Sequence, residues 1–231
     1  RARSQRWWWT KMAQQEQIGD ALGLLETSGL SATLAAVDTM EKSANVRLIQ
    51  CELNDLGGVC TKITGSTGAV HTAIQRGFQV AEQMGGRPVA RVITKPHHGA
   101  WQAIYCPPEV NPLIQQDVVF FPHFEPATPA PANEETAMSQ PPISALGLIE
   151  TQGFTAVFEA IDTACKVANV QVVGKEKLGG GYVTVIIKGD LAAVKAAIDS
   201  GKTKVEGLGK LIAAHVLARP SEAVLALLPK G

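Results

Sequence analysis

Short apolar runs alternate along the chain with longer stretches whose apolar positions recur every three or four residues. Residues 21–27, ALGLLET, form an apolar run that ends near a glycine, which predicts a short buried strand. Downstream, Leu30, Leu34, Val37 and Met40 fall on one face of a predicted helix. Two β-rich runs follow, 45–53 and 58–65, and the turn Asn54–Gly57 between them predicts a hairpin. A second helix directs Val70, Ile74, Gly77 and Ala81 inward, with Ser66 placed to cap it. A last strand, 89–94, and a short helix close the unit.

The same pattern then returns. Residues 145–151 read ALGLIET, so the offset is 145 − 21 = 124. It holds without a gap through the helix, the hairpin and the second helix. Ala36-Val37-Asp38-Thr39 matches Ala160-Ile161-Asp162-Thr163, and Lys42, Ala44 and Asn45 match Lys166, Ala168 and Asn169. Glu26 matches Glu150, Glu52 matches Glu176, and Gly77 matches Gly201. In the second copy the helix face is expected to be Phe154, Phe158, Ile161, Cys165 and Ala168. The hairpin, 169–176 and 182–188, turns through Gly179-Gly180-Gly181, and Asp190 stands as a cap. A repeat of this length means two domains of one fold. The order β-α-β-β-α-β makes that fold α+β and ferredoxin-like.

The expected organisation is an N-terminal extension (1–17), a first domain (18–106), a linker (107–142) and a second domain (143–231). Nine of the 13 prolines lie in 107–144, which fits an extended connection. Asp117-Val118-Val119-Phe120-Phe121 is the apolar exception, suited to a groove or a sheet edge. The extension carries Trp7, Trp8 and Trp9 after Arg1, Arg3 and Arg6, which reads either as a tail without structural role or as a docking peptide.

With 21 basic and 21 acidic residues, the net charge is zero, which argues against nucleic acid as the main partner. No apolar run approaches the ~20 residues of a membrane helix. Residues 1–20 hold no apolar segment of the export-signal type. Cys51, Cys60, Cys106 and Cys165 form no CxxC pair and read as reduced thiols, with Cys165 expected in the core. His71, His97, His98, His123 and His215 have no histidine at their 124-offset positions and read as surface residues. No nucleophile elbow, Walker loop or metalloprotease motif is present, so no catalytic residue, metal or cofactor is expected.

Both copies resemble the bacterial microcompartment shell domain. The resemblance rests on ALGLIET, AIDTACKVANV, EKLGGG, VTVIIKGDLAAVKAAIDSG and HVLARP in the second copy. In the first it rests on ALGLLET, AAVDTMEKSANV, GSTGAVHTAIQRG and VITKP. It covers nearly everything outside the linker and the extension, and both copies begin with the ALGL strand, as in the unpermuted tandem members. The resemblance implies a structural tile: a homotrimer equivalent to the family's flat hexamers, meeting other shell hexamers and pentamers in the bacterial cytoplasm. It also implies a pore for small metabolites at the hairpin tips, here Asn54, Asp55, Leu56, Gly57, Leu178, Gly179, Gly180 and Gly181. Read alone, those tips are ordinary turns. Lys42 and Lys166, with Lys95 and Arg219 beside them, take the plate-edge role of the family, although a lone exposed lysine is usually only solvated. The competing reading is a regulatory protein that senses small molecules with two ferredoxin-like domains.

Overall fold

The structure, a computed structural model, describes residues 21–54, 56–97, 100–106, 108–111, 116–122 and 144–229. The N-terminal extension, Asp55, His98, His123 and most of the linker lie outside the described residues.

The first repeat runs β1 (Ala21–Ser28), α1 (Leu30–Ser43), β2 (Val46–Leu53), β3 (Gly58–Gly65), α2 (Thr67–Gln83) and β4 (Val89–Thr94). Its antiparallel sheet has the order β4-β1-β3-β2, which is the ferredoxin-like order. The connecting segment contributes α3 (Trp101–Ile104) and three short strands, β5 (Val110–Asn111), β6 (Gln116–Asp117) and β7 (Val119–Phe120). Apolar β7 pairs with the edge of β2, placing Phe120 opposite Cys51. The second repeat runs β8 (Ala145–Gln152), α4 (Phe154–Val167), β9 (Gln171–Gly179), β10 (Tyr182–Gly189), α5 (Leu191–Lys202), β11 (Lys210–Ala218) and α6 (Glu222–Ala226). Its sheet order, β11-β8-β10-β9, repeats the first.

Local chemistry starts each helix. Ser66 accepts from the Ala69 amide ahead of α2, and Asp190 accepts from the Ala192 and Ala193 amides ahead of α5. Helices α1 and α4 instead follow Gly29 (φ 89°) and Gly153 (φ 115°), in a region that favours glycine, and neither has a side-chain cap of its own at that position.

Strand alternation divides β8 between two cores. Ala145 and Ile149 join the second domain's own core beneath its helices. Leu146 and Leu148 point to the opposite face and join a core shared with the first domain. Leu178, Ile186 and Leu217 belong to that shared core, as do Leu34, Val37 and Met40 of α1. The first domain therefore lays α1 across the open sheet face of the second.

The sequence-based expectation for α4 needs correction. It buries Ala156, Val157, Ala160 and Ala164, while Phe154 and Phe158 are 43% and 46% exposed and Cys165 is exposed as well. A stripe spaced by threes and fours has a neighbour on the same helix, and backbone proximity chooses between them. A Cβ at Gly201 would meet the Ala160 carbonyl at 2.8 Å. At that separation only small residues fit, so the alanine stripe faces α5 and the aromatic stripe is turned outward.

Candidate functional site

The seam between the two domains brings several repeated residues together. Glu150, at the far end of β8, accepts hydrogen bonds from the Leu30 amide (2.9 Å) and the Ser31 amide (3.0 Å). It thus caps α1 from the other domain, at the positive end of the helix dipole. Burial pushes its carboxyl pKa up, and the two amides partly offset this by favouring the charged form. At the other end of α1, Asp38 accepts from the Ser221 amide (2.8 Å) and Glu41 from the Ala223 amide (3.0 Å). Sequence reasoning noted the Glu26–Glu150 repeat without a role for it; the signal was a repeated acid three residues before a repeated glycine.

The hairpin tips meet at the same seam. The Gly57 amide donates to the Leu178 carbonyl (3.2 Å), and Leu56 forms a bridge with Gly179. Leu56 projects outward, 84% exposed. Asn54 folds its tip with its own side chain, accepting from the Leu56 and Gly58 amides, and donates to Glu26 (2.8 Å). Gly179, Gly180 and Gly181 all take positive φ, a tight turn that L side chains resist. Of the eight expected tip residues, Leu178 is buried in the shared core and leaves only its backbone at the tip, and Asp55 lies outside the described residues.

The two repeated lysines differ in surroundings. Lys42 pairs with Asp38 (2.7 Å) and donates to the Ala218 carbonyl (3.2 Å) across the seam. That carbonyl immediately precedes Arg219, so the structure brings Lys42 to the strand end where Arg219 stands exposed. Lys166 pairs with Asp162, and its side chain is 71% exposed. Lys95 and Arg219 occupy equivalent left-handed positions (φ 55° and 47°) after their last strands.

The two open sheet faces carry different charges. In the first domain Lys62 is buried and bonds Glu52 (2.6 Å), Gln50 (3.2 Å) and the Ile104 carbonyl. Burial pushes the Glu52 carboxyl up, but hydrogen bonds from Lys62 and Cys106 outweigh it and hold the pKa below the usual value. In the second domain the Lys62 counterpart is Ile186, so Glu176 has no such cation. Burial and the nearby Asp117 charge raise its pKa to about 7, with Lys177 only partly opposing. Glu176 shares a small cavity at the seam with Leu30, Leu34, Phe120 and Ile186.

A pH effect follows. Between the unfolded value near 4.5 and about 7, the folded chain holds a proton that the unfolded chain has released. Stability from this group is full below 4.5 and is lost as pH rises through about 7. The melting temperature is therefore expected to fall from pH 5 to pH 8, and Glu176→Gln should flatten that slope. Glu150 contributes in the same direction. A Gln variant with an unchanged pH profile would refute the assignment to Glu176.

Among the described residues, no three His, Cys, Asp or Glu side chains are grouped to hold a metal ion. No described helix is long and apolar enough to cross a membrane. His71 and His97 are exposed as expected, but His215 is half-buried, and burial lowers its pKa.

The BMC domain model matches residues 21–96 and again 145–220. The chain is 52% identical over 87 residues to bacterial microcompartment shell protein PduA of Citrobacter freundii, covering 38% of this chain and 94% of that protein. It is 42% identical over 89 residues to bacterial microcompartment shell protein EutM of Escherichia coli K12, covering 38% of this chain and 92% of that protein. The carboxysome assembly protein CcmO of Synechocystis is 30% identical over 228 residues, covering 99% of this chain and 71% of its own length. A doubled domain with two sheets of one topology, similar to single-domain shell proteins and along its whole length to a carboxysome protein, belongs to the bacterial microcompartment shell protein family as a tandem-domain member and has a structural shell role.

Proposed function

We propose that three copies of this chain close into a ring of six domains, which tiles the facet of a microcompartment shell in the bacterial cytoplasm beside other shell proteins. The observation that carries this is the head-to-tail seam inside the chain. The first domain buries α1 on the open sheet face of the second, and the tips of both hairpins lie side by side. A contact of this kind is not self-complementary, so repetition must either close a ring or run on as a filament. Two domains supply one seam within the chain, and copies must supply the others.

In the closed ring the tips surround the axis and leave a pore for small metabolites. Leu56 alternates there with the glycine turn of 179–181. Apolar side chains beside bare backbone make a narrow opening for small solutes; glycine amides there favour anions, and Asp55 of the same tip works against anions and for cations. The described tips hold no cysteine, and the opening needs no bound cofactor. The reading as a structural tile leaves no role for catalysis.

Native mass spectrometry tests the stoichiometry. The expected species has three times the 24.4 kDa chain mass. A monomer or dimer at micromolar concentration would overturn the ring.

A further inference from the structure

The seam within the chain has a second half whose partner is absent from a single chain. The α1 residues that the first domain offers to the second have counterparts 124 positions later, on α4. Leu30 and Leu34 correspond to Phe154 and Phe158. Leu34 is 2% exposed under the second domain, whereas Phe158 is 46% exposed. The two rings lie 5.8 Å apart and form one ridge. Helix α4 also begins without a side-chain cap, as α1 does, but α1 receives Glu150 from the facing domain.

The receiving side is equally recognisable. Glu150 corresponds to Glu26, which is exposed and bonds only the Asn54 amide group among the contacts described. Both glutamates sit at the same place on their sheets, opposite Cys60 on β3 and Thr184 on β10 respectively. The Ala218 carbonyl that Lys42 reaches corresponds to that of Thr94, and the lysine to Lys166.

Resting on the ring reading, we infer that Glu26 of one copy caps α4 of the next, accepting from the Phe154 and Thr155 amides while the Phe154–Phe158 ridge packs on the sheet face of the first domain beside the half-buried Leu24. The occupant of the exposed aromatic ridge is thus a second copy of this chain. The internal seam shows the contact that the external one repeats: Leu34, the counterpart of Phe158, is buried at the seam beside Ile186. Within its own chain the Phe158 ring meets only the Lys175 ammonium, 5.7 Å from its centroid, and Phe154 among the ring contacts described.

Two variants test the inference, Glu26→Lys and Phe158→Glu. Both positions are exposed in a single chain, so neither substitution threatens folding. The readout is the concentration at which trimers dissociate, by native mass spectrometry or analytical ultracentrifugation, with the circular dichroism spectrum and melting of the diluted chain as folding control. Glu26→Lys sets a cation against a helix N-terminus, and each variant is expected to raise that concentration on the order of a hundredfold. Arg76→Glu, on the exposed face of α2, is expected to leave it unchanged. A parent chain that is not a trimer defeats the ring reading itself. A trimeric parent whose two variants dissociate no more readily than Arg76→Glu defeats this seam and leaves the ring standing.

Discussion

Glu150→Ala is expected to destabilise the folded chain by about 3–5 kcal/mol, the order seen when one partner of a buried charged contact is removed. The carboxylate spans two domains, and its loss leaves the Leu30 and Ser31 amides without their acceptor in a buried site. An unpaired buried amide costs about 1–3 kcal/mol, and two are exposed to that cost here. Helix α1 has no substitute cap, because Gly29 offers no side chain. Glu150→Gln keeps one carbonyl oxygen and should lose roughly half as much. Glu26→Ala is the internal comparison: the same residue type at the equivalent position, but exposed in the single chain. Its cost to the dilute chain should stay within about 0.5 kcal/mol, as for most surface changes. Chemical denaturation of the diluted chain measures all three. The damage should also be local, with hydrogen exchange accelerating first in the opening turn of α1. Equal losses for Glu150→Ala and Glu26→Ala would show that the cross-domain cap is not what stabilises the seam.

The contrast between these two glutamates also shows how far the sequence could be read. The repeat placed both acids at one topological position, and the strand and helix patterns predicted the order of elements and both side-chain caps. Periodicity could not say which helix stripe is buried, because two adjacent stripes on α4 both satisfy the spacing. Ala160 and Ala164 win by their small size against Gly201, a contact visible only in three dimensions. The lysine in the first domain's sheet was equally hidden. Lys62 interrupts an apolar strand and would be placed in solvent by alternation alone. The segment around Ile104 and Cys106 covers it instead and supplies its hydrogen bonds. The raised pKa of Glu176 comes from burial and the Asp117 charge, with Ile186 standing where the equivalent site has Lys62. Such paired differences between repeats become legible once their partners are known.

Replacing both Lys42 and Lys166 with alanine is expected to abolish extended sheets while leaving soluble trimers. An ammonium has three donors. Lys42 uses one on Asp38 and one on the Ala218 carbonyl, and its side chain is still 45% exposed. Lys166 uses one on Asp162 and is 71% exposed. Each therefore keeps donor capacity and a long aliphatic stem for a neighbouring plate. The i,i+4 acid holds each side chain in place, which lowers the entropy lost on contact. A hydrogen bond from such a group is worth about 1.5–3 kcal/mol before ordering costs, and a plate repeats it along several edges. Lattice growth multiplies these small terms, whereas folding feels the loss of one exposed pair at Lys166, worth about 0–1 kcal/mol, and of the half-buried pair at Lys42, whose Asp38 keeps the Ser221 amide. Arg219 and Lys95 flank the same edges, and their exposed side chains are expected to contribute less, because no acid pairs with them among the contacts described. Negative-stain imaging of the double variant should show dispersed particles where the parent forms sheets, with melting close to parental. Sheets that persist at parental size and order would rule out the lysine edge and move the tiling contacts elsewhere on the rim.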